Sequence, residues 1–197
     1  MADGLSFSHF RPSIYFLDQE LAAWVETSPR YLVEVERLIS AATDPIVMIP
    51  LLAIACLFFA VIRLPWLILG FPITVWALVN ATLATAISLL LKLTVGRARP
   101  ETALGHLSFH PLSFQDAFQS MPSAQLALAS GVVMSFAILT PRYKQLFIAG
   151  GLIVCGSRII LAEHWLSDTM LGWAIGCGSV YLTALVFKAR NADWQGR

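Results

Sequence analysis

The sequence predicts an all-α membrane protein: a polytopic helix bundle of about five transmembrane helices, preceded by amphipathic interfacial helices. Three observations carry this. Hydrophobic residues make up 57% of the 197 residues and charged residues 13%, where an ordinary soluble domain carries about 25% charged. The apolar residues fall in long runs broken by short polar stretches, and a span needs roughly 20 of them. The charges that do occur gather at the ends of those runs. The formal net charge is +1 and no basic stripe exists, which argues against a nucleic-acid partner. Cys56, Cys155 and Cys177 all lie inside apolar runs and read as core residues rather than a disulfide framework or metal site. No repeat, low-complexity segment or linker divides the chain, so one domain is expected across 1–197, with an N-terminal region 1–43, a bundle 44–187 and a tail 188–197. No cleavable signal peptide is expected, because the first long apolar run begins only near Pro45.

In the N-terminal region, Ile14, Leu17, Leu21 and Trp24 recur at helical spacing, with Asp18, Gln19 and Glu20 off that stripe. Ser28-Pro29 reads as an N-cap followed by proline at the first helical position. Leu32, Val35 and Ile39 make a second stripe against Glu34, Glu36 and Arg37. Two helices lying at the membrane interface follow from this pattern; a helical hairpin capping the bundle has the same one. Asp44-Pro45 opens the first span, which runs to about 62, and Arg63-Leu64-Pro65 turns the chain. The second span runs from 66 to about 91, with Pro72 as a kink point. Residues 96–122 form the longest polar stretch. The third span, 123–139, stops at Thr140-Pro141; the fourth and fifth run over about 146–161 and 166–187. The third and fourth are short, so their ends are expected in a wet cavity or at the headgroups.

Threading five spans puts 92–122, 158–168 and the N-terminal helices on one side of the membrane. Arg63, Arg142, Lys144, Lys188 and Arg190 fall on the other. By the positive-inside rule that second side is cytoplasmic. The charged cluster then faces outward, toward a periplasm or the cell exterior.

A charge at membrane depth is costly, and is retained to handle an ion, a proton or a polar substrate group. Lys92, Arg97 and Arg99-Pro100 close the second span, with Pro100 expected to stop its helix. Arg158, His164 and Asp168 lie where the fourth meets the fifth. Guanidinium forks match phosphate oxygens two at a time, so three arginines and a lysine point to phosphate. Snorkelling explains Lys92 alone, but not cations at three span ends that meet on one side. His164 and Asp168 are four residues apart, one face of a helix. A carboxylate accepting the Nδ1 proton would fix the tautomer and leave Nε2 as nucleophile or base; a pair that merely satisfies a helix start has the same spacing. With Pro122 as the first residue of the third span, the N–H groups of Ser123 and Ala124 make a ready anion site, aided by the Ser123 hydroxyl. An ordinary proline-started helix reads the same way.

Lys92, six free positions and Arg99-Pro100 resemble the first signature of the type 2 phosphatidic acid phosphatase (PAP2) superfamily. Ser157-Arg158, five free positions, His164, three free positions and Asp168 resemble its third signature throughout. The likeness covers roughly 92–168 by motif, and the last two spans by architecture. It implies a small bacterial membrane lipid phosphatase without metal or cofactor, acting on a lipid phosphate or on a diphosphate such as undecaprenyl diphosphate. By the same resemblance His164 attacks phosphorus and forms a phosphohistidine, and Asp168 orients it. Lys92, Arg99, Arg158 and Ser123 hold the phosphoryl oxygens. Arg97 supports them or meets the headgroup.

The second signature departs. The family has proline, serine, glycine and histidine in a row; this chain has Pro122, Ser123, Ala124 and Gln125. That histidine protonates the leaving oxygen, and an amide cannot deliver a proton. One reading is a good leaving group. The phosphate of a diphosphate ionises near pKa ~6, whereas an alkoxide is the base of an alcohol close to water, at about 16. Another is a different donor, His106 or His110 in the 96–122 stretch. A third is a non-catalytic lipid-phosphate-binding pseudoenzyme. A lipid phosphotransferase is the remaining alternative.

Overall fold

A computed structural model of the chain describes residues 13–61 and 70–195. Its helices are α1 (Ser13–Glu26), α2 (Arg30–Ala42), α3 (Pro45–Val61), α4 (Gly70–Val95), α5 (Ala124–Leu139), α6 (Lys144–Ile160) and α7 (Leu166–Gln195). Helices α3 to α7 fall where five spans are expected. The turn at 63–65 and the expected start of the second span at 66 lie outside the described residues. The stretches Pro72–Val95, Pro141–Ile160 and Leu166–Lys188 are each long and apolar enough to cross a membrane. Helices α2 and α3 meet that test together, across a bend of 48°, and α5 is shorter.

Helix α5 has 16 residues, roughly 24 Å of rise. It packs against α4, α6 and α7. Being wrapped in protein, it need not match the full thickness of the hydrocarbon. Its buried residues are mostly small, among them Ala127, Ser130 and Gly131. Small residues let backbones approach where no hydrophobic effect drives helices together. Helix α7 answers with Gly176, where an added Cβ would stand 1.9 Å from Ser130 Oγ and 2.4 Å from the Ala127 carbonyl oxygen.

A polar knot ties the same three helices. Asn80 of α4 donates from Nδ2 to Ser135 Oγ of α5 at 3.2 Å, and its Oδ1 accepts from Thr183 Oγ1 of α7 at 2.8 Å. Ser179 Oγ of α7 lies 3.4 Å from the Asn80 carbonyl oxygen. Interhelical bonds of this kind average roughly 0.6 kcal/mol each in a membrane, so they set register more than they add stability.

Several local expectations are corrected. Pro29 sits at the N-cap of α2, and its carbonyl accepts from Leu32 N at 3.0 Å. Pro72 lies in the first turn of α4, where a missing N–H costs no intrahelical bond, so no kink is required. It is Gly96, not Pro100, that ends α4: its φ is +60° and its N–H bonds the Lys92 carbonyl at 3.0 Å. Pro100 instead opens a short 3-10 turn, Pro100–Thr102. The expected polar tail continues α7 to Gln195.

The N-terminal helices turn their faces in an unexpected way. Leu17 and Trp24 of α1, and Val35 of α2, are exposed, as suits a lipid-facing surface. Asp18 is 1% exposed and Glu36 is buried. Asp18 and Glu36 thus turn toward protein, while Gln19, Glu20, Glu34 and Arg37 stay exposed. In a bilayer, polar groups must be satisfied by protein while lipid takes the apolar face.

The polar stretch after α4 is folded back on itself. Arg97 and Phe109 form an antiparallel bridge, flanked by Ala98 N to Ser108 O (2.9 Å) and His110 N to Gly96 O (2.6 Å). Arg99 N bonds Ala117 O at 2.9 Å, and Ser120 N bonds Arg97 O at 3.0 Å. These bonds carry Ser120 to the start of α7.

The α5–α7 crossing makes a direct prediction. Gly176→Ala forces two backbones apart and is expected to lower the thermal midpoint by roughly 3–10 °C. Gly178→Ala, on the same helix with nothing within 4 Å of its Cβ position, leaves the midpoint within a degree or two of wild type, or raises it. Detergent-solubilised thermal unfolding of both variants reads the difference, and equal midpoints would contradict the close crossing.

Candidate active site

Helix α7 begins one residue after Trp165, and the carboxylate of Asp168 caps it from within. Asp168 Oδ2 accepts from Trp165 N at 3.0 Å. An acid at the third helical position reaching back to the cap N–H is one half of a capping box. The same Oδ2 accepts from Ser120 Oγ at 2.5 Å, and Oδ1 accepts from Arg97 Nη1 at 2.5 Å. Asp168 is fully buried, so these donors replace the water that an ionised carboxylate requires.

His164 lies in the short link between α6 and α7, outside both helices. The expected direct His164–Asp168 pair does not form. Spacing by four residues aligns side chains only inside one helix, and here the helix starts at Leu166. Instead Nδ1 of His164 meets the Ser120 carbonyl oxygen at 2.7 Å. A carbonyl only accepts, so Nδ1 carries the proton and Nε2 keeps its lone pair. Asp168 reaches the imidazole through Ser120: the serine hydroxyl donates to the carboxylate, and the serine carbonyl accepts from the ring. Sequence reasoning missed Ser120. Its only sequence signal is its place just before Met121-Pro122.

The cations surround this histidine, each held by an acceptor of the protein. Lys92 Nζ donates to the Gln119 carbonyl at 2.8 Å. Arg99 Nη2 donates to Asp116 Oδ1 at 2.7 Å. Arg158 bonds Glu163 through Nη2 and Ser40 Oγ of α2 through Nη1. The Nε–H groups of Arg99 and Arg158 are buried and without an acceptor among the described residues. Burial depresses the pKa of His164 well below its usual 6.5, and the positive charges of Lys92, Arg158 and Arg99 push in the same direction. The bond to Ser120 opposes the shift. The imidazole is therefore neutral at neutral pH. A cleft beside His164 is lined by Leu21 and Ala22 of α1, Ile159, Pro100 and Trp165.

Arg97 does not line this cleft, although its partner Asp18 does. It is fully buried between Asp18 Oδ2, 3.0 Å from Nη2, and Asp168 Oδ1. Pro122 is not the first helical residue. Ser123 is the N-cap of α5, its Oγ 3.4 Å from Leu126 N, and its own N–H is taken by the Asp168 carbonyl at 3.1 Å. An anion site through the Ser123 N–H is thus closed, because the first turn of α7 packs on it. Ala124 is buried and opens the helix.

Gln125 is tied to the N-terminal region. Its Nε2 donates to the Ser40 carbonyl at 2.6 Å and to Thr43 Oγ1. The two histidines named as alternative proton donors contact other groups. His106 Nδ1 pairs with Gln19 Nε2 at 3.0 Å, and the His110 ring packs on Phe118 at 4.2 Å between centroids.

Comparison with known proteins fits this arrangement. Lipid A 1-phosphatases of Rhizobium johnstonii and Rhizobium etli are 39% and 38% identical over 100 residues, half of this chain. The match takes in 41% and 43% of those proteins, so the chain spans about two fifths of the length of the curated relatives it matches. Among solved structures, a transmembrane PAP2 type phosphatidylglycerolphosphate phosphatase from Bacillus subtilis superposes with a TM-score of 0.65. It shares 18% identity and covers 93% of this chain and 90% of its own. LpxE of Aquifex aeolicus superposes with a TM-score of 0.59 at 17% identity, over 84% of this chain and 93% of its own. At such identities the likeness concerns the fold. A family model described as the PAP2 superfamily matches residues 73–192. That stretch takes in more than half of the chain and every charged site residue from Lys92 to Asp168, and the chain belongs to the PAP2 superfamily.

Proposed function

We propose that the chain is a membrane phosphatase that hydrolyses a lipid phosphate or lipid diphosphate through a phosphohistidine at His164. The carrying observation is the bond from His164 Nδ1 to the Ser120 carbonyl, which leaves a neutral Nε2 amid Lys92, Arg99 and Arg158. The Nε2 lone pair attacks phosphorus, and the bond to the leaving oxygen breaks with its electrons. Water then attacks phosphorus, the N–P bond returns its pair to Nε2, and the water's proton passes to solvent. The phosphoryl oxygens take the places of Asp116 and Glu163 on Arg99 and Arg158 and engage the two unpaired Nε–H groups. Fixed positive charge in a dry site is what phosphoryl transfer needs. Asp168 holds the ring through Ser120 and stabilises its charge as the phosphohistidine forms.

The named activity of the Rhizobium relatives supports a lipid-borne phosphate as substrate. Gln125 supports a diphosphate over an alkyl monophosphate, because a phosphate leaves without a proton and an alkoxide does not. The reading places the site on the outer face of the inner membrane, from the positive residues at the opposite ends of the spans. A green fluorescent protein fused to the C-terminus is then expected to fluoresce in the cytoplasm. Gln125 also favours one second reading, a lipid-phosphate binder without turnover, since the side chain in the acid's place is bound to α2 and has no proton to give.

His164→Ala is expected to abolish inorganic phosphate release from a polyprenyl diphosphate, with the variant folded as wild type by its thermal midpoint. Unchanged release would sink the mechanism. Since kcat/KM reports the free enzyme, its acid limb is expected below pH 6.5, where His164 begins to take a proton. An acid limb above that value would mean that a different group attacks, or that the imidazole is not held as described.

The leaving-group reading has its own test. Wild type is expected to cleave a polyprenyl diphosphate at least ~100-fold better than an alkyl monophosphate, the scale of one general acid. Ala124→Gly with Gln125→His is expected to raise kcat/KM for the monophosphate more than for the diphosphate. Equal gains on both would show that the leaving group is not the reason. Release only from the double variant would favour the non-catalytic binder.

A further inference from the structure

We infer that Asp18 of α1 is a positioning residue for His164, completing a buried carboxylate–guanidinium–carboxylate chain behind the nucleophile. The inference rests on the phosphohistidine reading above. Asp18 lies outside both matched signatures, on a helix whose periodicity puts it on the polar side.

The geometry is closed at each step. Asp18 Oδ1 accepts from Ser167 N at 2.9 Å, and Oδ2 accepts from Ser167 Oγ at 2.6 Å and from Arg97 Nη2 at 3.0 Å. Ser167 has one hydroxyl proton, which goes to Asp18, so its oxygen accepts from Arg97 Nη1 at 2.6 Å. Arg97 Nη1 also donates to Asp168 Oδ1, and Asp168 Oδ2 accepts from the serine whose carbonyl holds the His164 ring. The chain therefore runs Asp18, Arg97, Asp168, Ser120, His164, and crosses from α1 through the folded loop to α7.

Charge arithmetic says why a second carboxylate matters. With Asp168 alone on Arg97, one negative charge faces one positive charge, and little field reaches the imidazole. With Asp18 sharing the guanidinium, the group carries a net charge of minus one. That charge opposes Lys92 of α4, Arg99 of the loop and Arg158 of α6, all of which disfavour positive charge on His164. The other acids at the site are paired as well, Glu163 with Arg158 and Asp116 with Arg99. Net negative charge behind the ring is what a developing phosphohistidine needs. A structural role alone does not call for it, because apolar residues fill a buried site at lower cost than a partnered ion.

The test compares full-length wild type, Asp18→Asn and Ser167→Ala in detergent micelles. Kinetics use the polyprenyl diphosphate, and nitrogen-15 spectra of labelled histidine rings are read at pH 7. The chain has four histidines, and His164→Ala assigns the resonance. Asp18→Asn is expected to lower kcat roughly 10-fold, the scale of a partner one bond removed from a functional histidine's support, with KM within twofold. The acid limb of kcat/KM is expected to move to lower pH, because removing negative charge disfavours ring protonation. The ring spectrum is expected to change from a single Nδ1–H tautomer to a mixture. Ser167→Ala keeps every charge and loosens only the bridge; a smaller fall in kcat with no movement of the acid limb is expected, and it carries the test if Asp18→Asn does not fold. Wild-type kcat, pH profile and ring tautomer in Asp18→Asn would overturn the inference; if that variant does not fold, wild-type kcat in Ser167→Ala would do so. Absence of phosphate release from wild type would contradict the proposed function instead, and the ring spectra would still decide the role of Asp18.

Discussion

One buried guanidinium organises the His164 end of this bundle. Arg97 has no exposed surface, and an ion so placed loses several kcal/mol of hydration unless each donor finds a partner. Its partners come from separate parts of the chain. Asp18 comes from α1, Ser167 and Asp168 from α7, and the His106 carbonyl from its own loop, 2.9 Å from Nε. The rings of Trp165 and Phe109 lie 5.5 Å and 6.0 Å from its carbon. No subset of these elements satisfies the charge alone. The N-terminal helix, the loop and the start of α7 are therefore held together, and the support of His164 is assembled in the same act.

The device at the histidine is indirect. A carboxylate bound straight to the imidazole would compete with Arg97 for the same oxygens. Interposing Ser120 lets Asp168 accept from Arg97, from the serine and from its own helix cap at once. The ring is then held by a neutral carbonyl. That fixes the tautomer and leaves the carboxylate to its three donors, while burial, joined by Lys92, Arg158 and Arg99, disfavours a proton on the ring.

Much of this was legible in the residues. Apolar runs of the right length place α3 to α7, because lipid forbids unsatisfied backbone and leaves helices as the solution. The cations and the His164–Asp168 spacing point to the candidate site, because intramembrane charge needs a reason. What was not legible depended on contacts between distant segments. Asp18 beside Gln19 and Glu20 looks like part of a solvated face, and only the fold shows that Asp18 itself meets Arg97. Ser120 has an unremarkable neighbourhood in sequence. The His164–Asp168 spacing predicts a direct pair only when one helix carries both residues, and α7 starts at Leu166. Pro100 was taken as the helix stop because proline is the stronger punctuation in general, although Gly96 can adopt the φ of +60° that ends α4. Its missing Cβ also makes room for the His110 carbonyl, 1.8 Å from where that atom would stand.

The central claim is that Nε2 of His164 becomes covalently bonded to phosphorus. Rapid acid-free quenching of the enzyme during turnover of a phosphorus-32-labelled polyprenyl diphosphate, followed by peptide mapping, tests it most directly. The account predicts a base-stable, acid-labile label on the peptide carrying His164, absent from His164→Ala. Steady phosphate release with label on a different residue, or with no labelled protein at any quench time, would contradict it.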